Sequence, residues 1–138
     1  ILTGRMDLMA CLVALPQSLA IGAILSVNNA CDMVGDREGG RTTLAILLGA
    51  KGARRLVYAE GLADLALLAL LAYRRLLPSL TLWLVLPALA LILAEYGKMH
   101  RRGYSHETKG PNMQSISKIF IIQSMVYIAG LLVEIILR

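Results

Sequence analysis

Two carboxylates four residues apart, Asp32 and Asp36, stand in the segment Asn28-Asn29-Ala30-Cys31-Asp32-Met33-Val34-Gly35-Asp36-Arg37-Glu38-Gly39-Gly40-Arg41-Thr42-Thr43-Leu44. On a continuing helix Asn28, Asp32 and Asp36 share one face, with Asn29 three residues before Asp32. Donors that are all oxygen suit a hard cation, and Mg²⁺ in particular prefers one or two carboxylates plus substrate phosphate and water to a complete protein cage. Arg37, Arg41 and Lys51, just downstream, can close over phosphate oxygens that a metal leaves free. The chemistry implied is capture of a diphosphate through a metal bridge. Against it stands the ordinary use of Asp and Asn as helix caps in a solvated charged loop. The Asn pair on the carboxylate face and Gly39-Gly40, which lets the chain fold back, favour the metal reading.

The elements that must position this segment are membrane spans. The 138 residues are 57% hydrophobic and 17% charged with a mean hydropathy of +0.67, whereas soluble domains are about 45–50% apolar and about 25% charged. Between Asp7 and Asp32 no residue is charged, which is enough to cross a hydrocarbon core of about 30 Å. That first span, 8–27, contains Pro16 followed by Gln17 and Ser18, a kink whose freed backbone groups need partners inside a bundle. Further spans are expected over 56–73, 76–94 and 116–137, with Arg74 and Arg75 in a tight turn between the second and third. The fold class is therefore all-α, a polytopic membrane protein of four transmembrane helices with polar loops at 28–55 and 95–115. Those loops carry ten Lys and Arg, counting Lys118 at the base of the fourth span, against Arg5, Arg74, Arg75 and Arg138 on the other side, which places both loops in the cytoplasm. The net charge of +5 is thus a topology signal; with no continuous basic face or interleaved aromatics, nucleic acid is not an expected partner. Cys11 and Cys31 form neither a disulfide framework nor a zinc pattern, and free thiols are expected. A chain that opens with Ile1 and has no signal-peptide n-region is expected to be part of a longer protein.

The run from Asn28 to Gly49 resembles the second Asp-rich motif of the UbiA superfamily of intramembrane aromatic prenyltransferases, most of all its menaquinone branch, the 1,4-dihydroxy-2-naphthoate polyprenyltransferases. Asn28, Asn29, Asp32, Asp36, Arg37, Gly40, Arg41, Thr43, Leu44 and Gly49 fit that pattern in order. The resemblance implies nine helices around a central cavity, of which this chain would supply the last four, and two Asp-rich loops holding Mg²⁺ and the diphosphate of a polyprenyl donor. It implies that Asp32 and Asp36 are metal ligands, that Asn28 and Asn29 orient metal-bound water or diphosphate, and that Arg41 neutralises the leaving group. The partners it implies are a polyprenyl diphosphate, an aromatic acceptor such as 1,4-dihydroxy-2-naphthoate, the bilayer of a bacterial or archaeal inner membrane, and an N-terminal half carrying the first Asp-rich motif. Two departures stand out. Arg41 is followed by Thr42 where many members have a second basic residue, and the first motif is not in this chain, so the segment alone is not expected to turn over.

Glu60 and Asp64 fall inside the second span, where acids are costly and face a cavity or a partner. Asp64 is the stronger candidate for a catalytic role at the acceptor; the alternative is a buried polar pair bonded to helices missing from this chain. His100 and His106 lack a third ligand, so no metal role is expected for them. Lys98, Arg101 and Arg102 are candidates to cap the loop side and draw in anionic groups. Lys118 and Glu134 are expected to snorkel at the two ends of the fourth span, and most of Tyr58, Tyr73, Tyr96 and Tyr127 to anchor at the interface. Two further readings remain: a non-catalytic membrane module that binds Mg-diphosphate lipids or partner helices, and a fragment of a cation transporter using Asp32, Asp36, Glu60 and Asp64 as a path.

Overall fold

In the computed structural model residues 8–137 are described; Arg5 and Arg138, counted for topology, lie outside them, as does the side chain of Glu134. The described residues form α1 (Leu8–Cys31), α2 (Met33–Glu38), α3 (Leu44–Tyr73), α4 (Ser79–Arg102) and α5 (Lys109–Leu137), with no strand among them. Four of the five are long and apolar enough to cross a membrane. Helices are the available solution there, because backbone groups in hydrocarbon must bond within their own segment.

The helices run well beyond the apolar intervals. Stretches expected as loops are largely helix: α1 continues to Cys31, α3 begins at Leu44, α4 continues to Arg102 and α5 begins at Lys109. Thr43 starts α3 by accepting the Ile46 N–H on its hydroxyl at 3.4 Å, an ordinary N-cap. Gly49, at φ 67° and ψ 171°, breaks α3 into a short leading turn and a long remainder. His100, Arg101 and Arg102 sit in the last turn of α4, where positive charge meets the negative helix end.

The bundle is a ring of four: α1 packs most extensively on α3 and α4 on α5, and contacts of α1 with α5 and α3 with α4 close it. Its core holds Val27, Val57, Leu68, Ile92, Met99, Ile116 and Ile119, all essentially inaccessible. Leucines such as Leu25, Leu62, Leu86 and Leu91, with Trp83, cover the outside. α3 and α4 approach closely at Gly61, where an added Cβ would lie 1.9 Å from the Tyr96 hydroxyl oxygen. Polar ties then fix the helices in register. Gln17, beside the buried Pro16, accepts from Ser124 on α5 at 3.1 Å, and the Tyr127 hydroxyl donates to the Val13 carbonyl at 3.1 Å. Arg102 donates to Ser115 at 2.6 Å, and Ser115 to Glu95 at 2.8 Å, linking α4 to α5. Among the described residues Cys11 is exposed, Cys31 is buried, and both are free thiols.

Candidate functional site

The acidic motif sits where α1 gives way to α2. Helical hydrogen bonding passes almost unbroken through the junction: the Asp32 N–H donates to the Asn28 carbonyl at 3.1 Å and the Asp36 N–H to the Asp32 carbonyl at 2.8 Å. Asp32 and Asp36 therefore stay one turn apart. Asp32 occupies the N-cap position of α2 but makes no side-chain capping bond, so its carboxylate is released from the local duty that would make the motif an ordinary helix start. Gly40, at φ 71°, turns the chain back so that the Arg41 N–H reaches the Asp36 carbonyl at 2.8 Å and the Arg41 guanidinium comes within 3.7 Å of the Asp36 carboxylate. A side chain bearing a Cβ would be strained in that left-handed conformation.

The carboxylate of Asp32 is met from the far side by the segment between α4 and α5. His106 Nδ1 lies 3.2 Å from Oδ1, and the Lys109 ammonium donates to Oδ2. The adjacent ammonium, and to a lesser degree the imidazole, hold the Asp32 carboxyl below the usual carboxylate range against the opposing effect of burial. Segment 103–108 is itself braced. The Thr108 hydroxyl lies 3.1 Å from the Gly103 and Ser105 carbonyls, and the Ser105 N–H donates to that hydroxyl at 2.9 Å. The fully buried Asn112 donates to the Gly103 carbonyl at 2.7 Å. Neither His106 nor Lys109 was singled out for this position by sequence reading; no local spacing announces a contact between chain segments so far apart.

Between these parts lies a cavity of about 580 Å³, lined by Cys31, Met33, Gly35 and Arg37 on one side and by Tyr104, Ser105, His106 and Glu107 on the other. A smaller space of about 250 Å³ adjoins it across Ala30, Ala50 and Tyr104 and is bordered by Lys51 and Arg54. The structure thus brings Asp32, Asp36, Arg37, Arg41 and Lys51 to one end of the bundle. Asn28 and Asn29 lie half-buried in the last turn of α1. Of the other basic candidates, Lys98 pairs with Glu95 and Arg102 with Ser115. His100 meets the Tyr58 hydroxyl at 3.3 Å.

Asp64 belongs elsewhere. Glu60 faces Gly22 on α1, and from that level Asp64 lies about 20 Å along the helix axes from Asp32 at 1.5 Å per residue. It is buried, and Gln123 of α5 donates to it, so its partner lies within this chain. Tyr96 is buried nearby, edge-on to Tyr58 at 5.5 Å.

The family model for the UbiA prenyltransferase family matches residues 1–116. The chain belongs to the UbiA prenyltransferase family. Among curated proteins it is similar to the 1,4-dihydroxy-2-naphthoate octaprenyltransferase of Bacillus subtilis (strain 168), 42% identical over 58 residues, which are 42% of this chain and 19% of that protein. The matched stretch is therefore about a fifth of that relative's length. No solved structure matches the chain significantly. The run from Asn28 to Gly49 lies within the matched region.

Proposed function

We propose that this chain is the part of a UbiA prenyltransferase that grips the diphosphate of a polyprenyl donor, in an enzyme that transfers the prenyl group to an aromatic acceptor of the 1,4-dihydroxy-2-naphthoate type. The observation that carries the reading is the uncapped Asp32 one turn from Asp36, in a segment whose neighbouring residues Cys31, Met33, Gly35 and Arg37 line a cavity of about 580 Å³. The donor set fits Mg²⁺. It is oxygen only, and among the described residues no three His, Cys, Asp or Glu side chains gather to form a self-sufficient cage. A pair of carboxylates that leaves coordination positions to phosphate and water is how Mg²⁺ is usually held. Asp32 and Asp36 would be its ligands, and when bound it would neutralise charge on the departing diphosphate.

The chain's own groups do the rest. Asn28 and Asn29 orient water or phosphate oxygens at the end of α1. Arg41, already drawn to Asp36, and Arg37 on the cavity wall meet the negative charge that grows as the allylic C–O bond breaks, and Lys51 does so from the adjoining space. Charge placed in advance where charge develops is a large source of rate in such reactions. The basic excess around both polar segments supports a cytoplasmic orientation for this end of the bundle. Asp64, too deep to touch the diphosphate, ties α3 to α5 through Gln123. The test is prenyl transfer from labelled polyprenyl diphosphate by the whole protein in nanodiscs, with Mg²⁺ titrated. Asp32→Ala should abolish it, whereas Asp32→Ala as active as the unmodified enzyme would overturn the proposal.

A further inference from the structure

Asp32 is the metal ligand expected from the motif, yet both of its oxygens face cationic or proton-donating side chains from 103–109. An ionised carboxylate can only accept hydrogen bonds, so His106 presents Nδ1–H to it. The ammonium of Lys109 stands where positive charge is wanted and repels a second cation arriving alone. Space for a second anion adjoins the same segment. His106, with Tyr104, Ser105 and Glu107, walls the cavity beside the acidic motif, and Lys109 starts the helix that follows that wall. The side chain of Lys109 is about one-third exposed and that of Asp32 about one-fifth, so the pair is open enough to exchange partners without unfolding the bundle. The hydrogen bonds of Thr108 and Asn112 keep 103–108 in one shape while it does so.

We propose that Lys109, assisted by His106, is a diphosphate-binding residue that holds the metal's place: in the empty site it neutralises Asp32, and when metal and diphosphate arrive together it moves to a diphosphate oxygen and leaves Asp32 to the metal. This rests on the reading of Asp32 as a metal ligand. Binding of the two is thereby made mutually dependent. Metal alone must displace an ammonium that has nowhere better to go, whereas diphosphate supplies Lys109 with a new anionic partner. By linkage each ligand then strengthens the other by the same factor.

The experiment measures two constants on the whole protein in nanodiscs: Mn²⁺ binding alone, by electron paramagnetic resonance of the free ion, and inorganic diphosphate binding in saturating Mg²⁺, by calorimetry. In Lys109→Gln, Mn²⁺ alone should bind several-fold tighter while diphosphate binds about tenfold weaker, the loss of one charge-assisted contact. Lys109→Arg should stay near the unmodified protein in both. Lys109→Met, which keeps the aliphatic stem, replaces Lys109→Gln if that variant does not fold. Constants that move in the same direction, or either one standing still, overturn the exchange. Asp32→Asn separates the two levels of the argument: if it retains metal-dependent diphosphate binding, the reading of Asp32 fails whatever Lys109 does. If it loses that binding while Lys109→Gln changes nothing, only the exchange fails.

Discussion

The Lys109 ammonium is bonded to the Asp32 carboxylate across 77 residues of sequence, joining the start of α5 to the end of α1. Through that pair, one polar segment of the chain closes over the acidic motif of the other. The two segments have to be considered as a single mouth.

For catalysis by the whole protein, Asp32→Asn and Asp36→Asn are expected to lower prenyl transfer at least a hundredfold, because a neutral amide is a poor ligand for a hard divalent cation. Helical content by circular dichroism should stay unchanged, since Asp32 makes no side-chain cap that the substitution would remove.

Arg41→Ala is expected to act on the chemical step more than on folding. Its guanidinium is largely exposed and reaches Asp36 at 3.7 Å, and exposed pairs of this kind contribute about 1 kcal/mol or less to stability. Thermal unfolding should therefore move little, while kcat falls about tenfold or more in single-turnover measurements with saturating donor.

Within the membrane, Gln123→Leu leaves the buried Asp64 without its donor, whereas Asp64→Asn keeps an amide that can still pair with Gln123. Side-chain hydrogen bonds between membrane helices average roughly 0.6 kcal/mol, with larger cases near 1.7. The expected order in thermal unfolding is Gln123→Leu well below Asp64→Asn, and prenyl transfer by Asp64→Asn should remain within a few-fold of the unmodified enzyme. A hundredfold loss on Asp64→Asn would instead favour a role for Asp64 at the acceptor.

Substitution of Gly61 tests the α3–α4 contact. A Cβ there collides with the Tyr96 hydroxyl, so Gly61→Ala should lower the unfolding temperature. The double variant Gly61→Ala with Tyr96→Leu should recover most of the loss, because the two changes act on one contact.

Acidification tests the tether at the mouth. In the folded protein Lys109 holds the Asp32 carboxyl below its ordinary value of 3.8, so the pair contributes stability at neutral pH that disappears as pH falls through the lowered folded value. Protection of 103–108 against hydrogen exchange in metal-free protein, relative to the intrinsic rate at each pH, should fall only below about pH 4. In Lys109→Gln the fall should shift toward neutral pH or vanish into a uniformly lower protection.

The spans were legible because a membrane demands long uncharged intervals, and the interval from Leu8 to Cys31 meets that demand by composition alone. The same signal reports the hydrocarbon thickness and not where a helix ends, which is why the helical turns at Asn28–Cys31, Leu44–Arg55 and Lys109–Ser115 carry no such mark in the sequence. Asp32 and Asp36 were legible because their relation is local, a single helical turn. His106, which lacks metal-ligand spacing, and Lys109, one charge among those of a basic segment, owe their place to the packing of α1 against α5, which no short-range pattern encodes. The partner of Asp64 was hidden for the same reason: Gln123 looks like any polar residue in the fourth span until α3 and α5 are set side by side.

Gly49 makes α3 a jointed rod instead of a rigid one. Lipid bilayers differ in thickness, and spanning helices answer by leaning. The elbow separates the long shaft from the turn that leads to Thr43 and Arg41, so the direction of the shaft in a bilayer and the direction of the segment carrying the guanidinium are set independently.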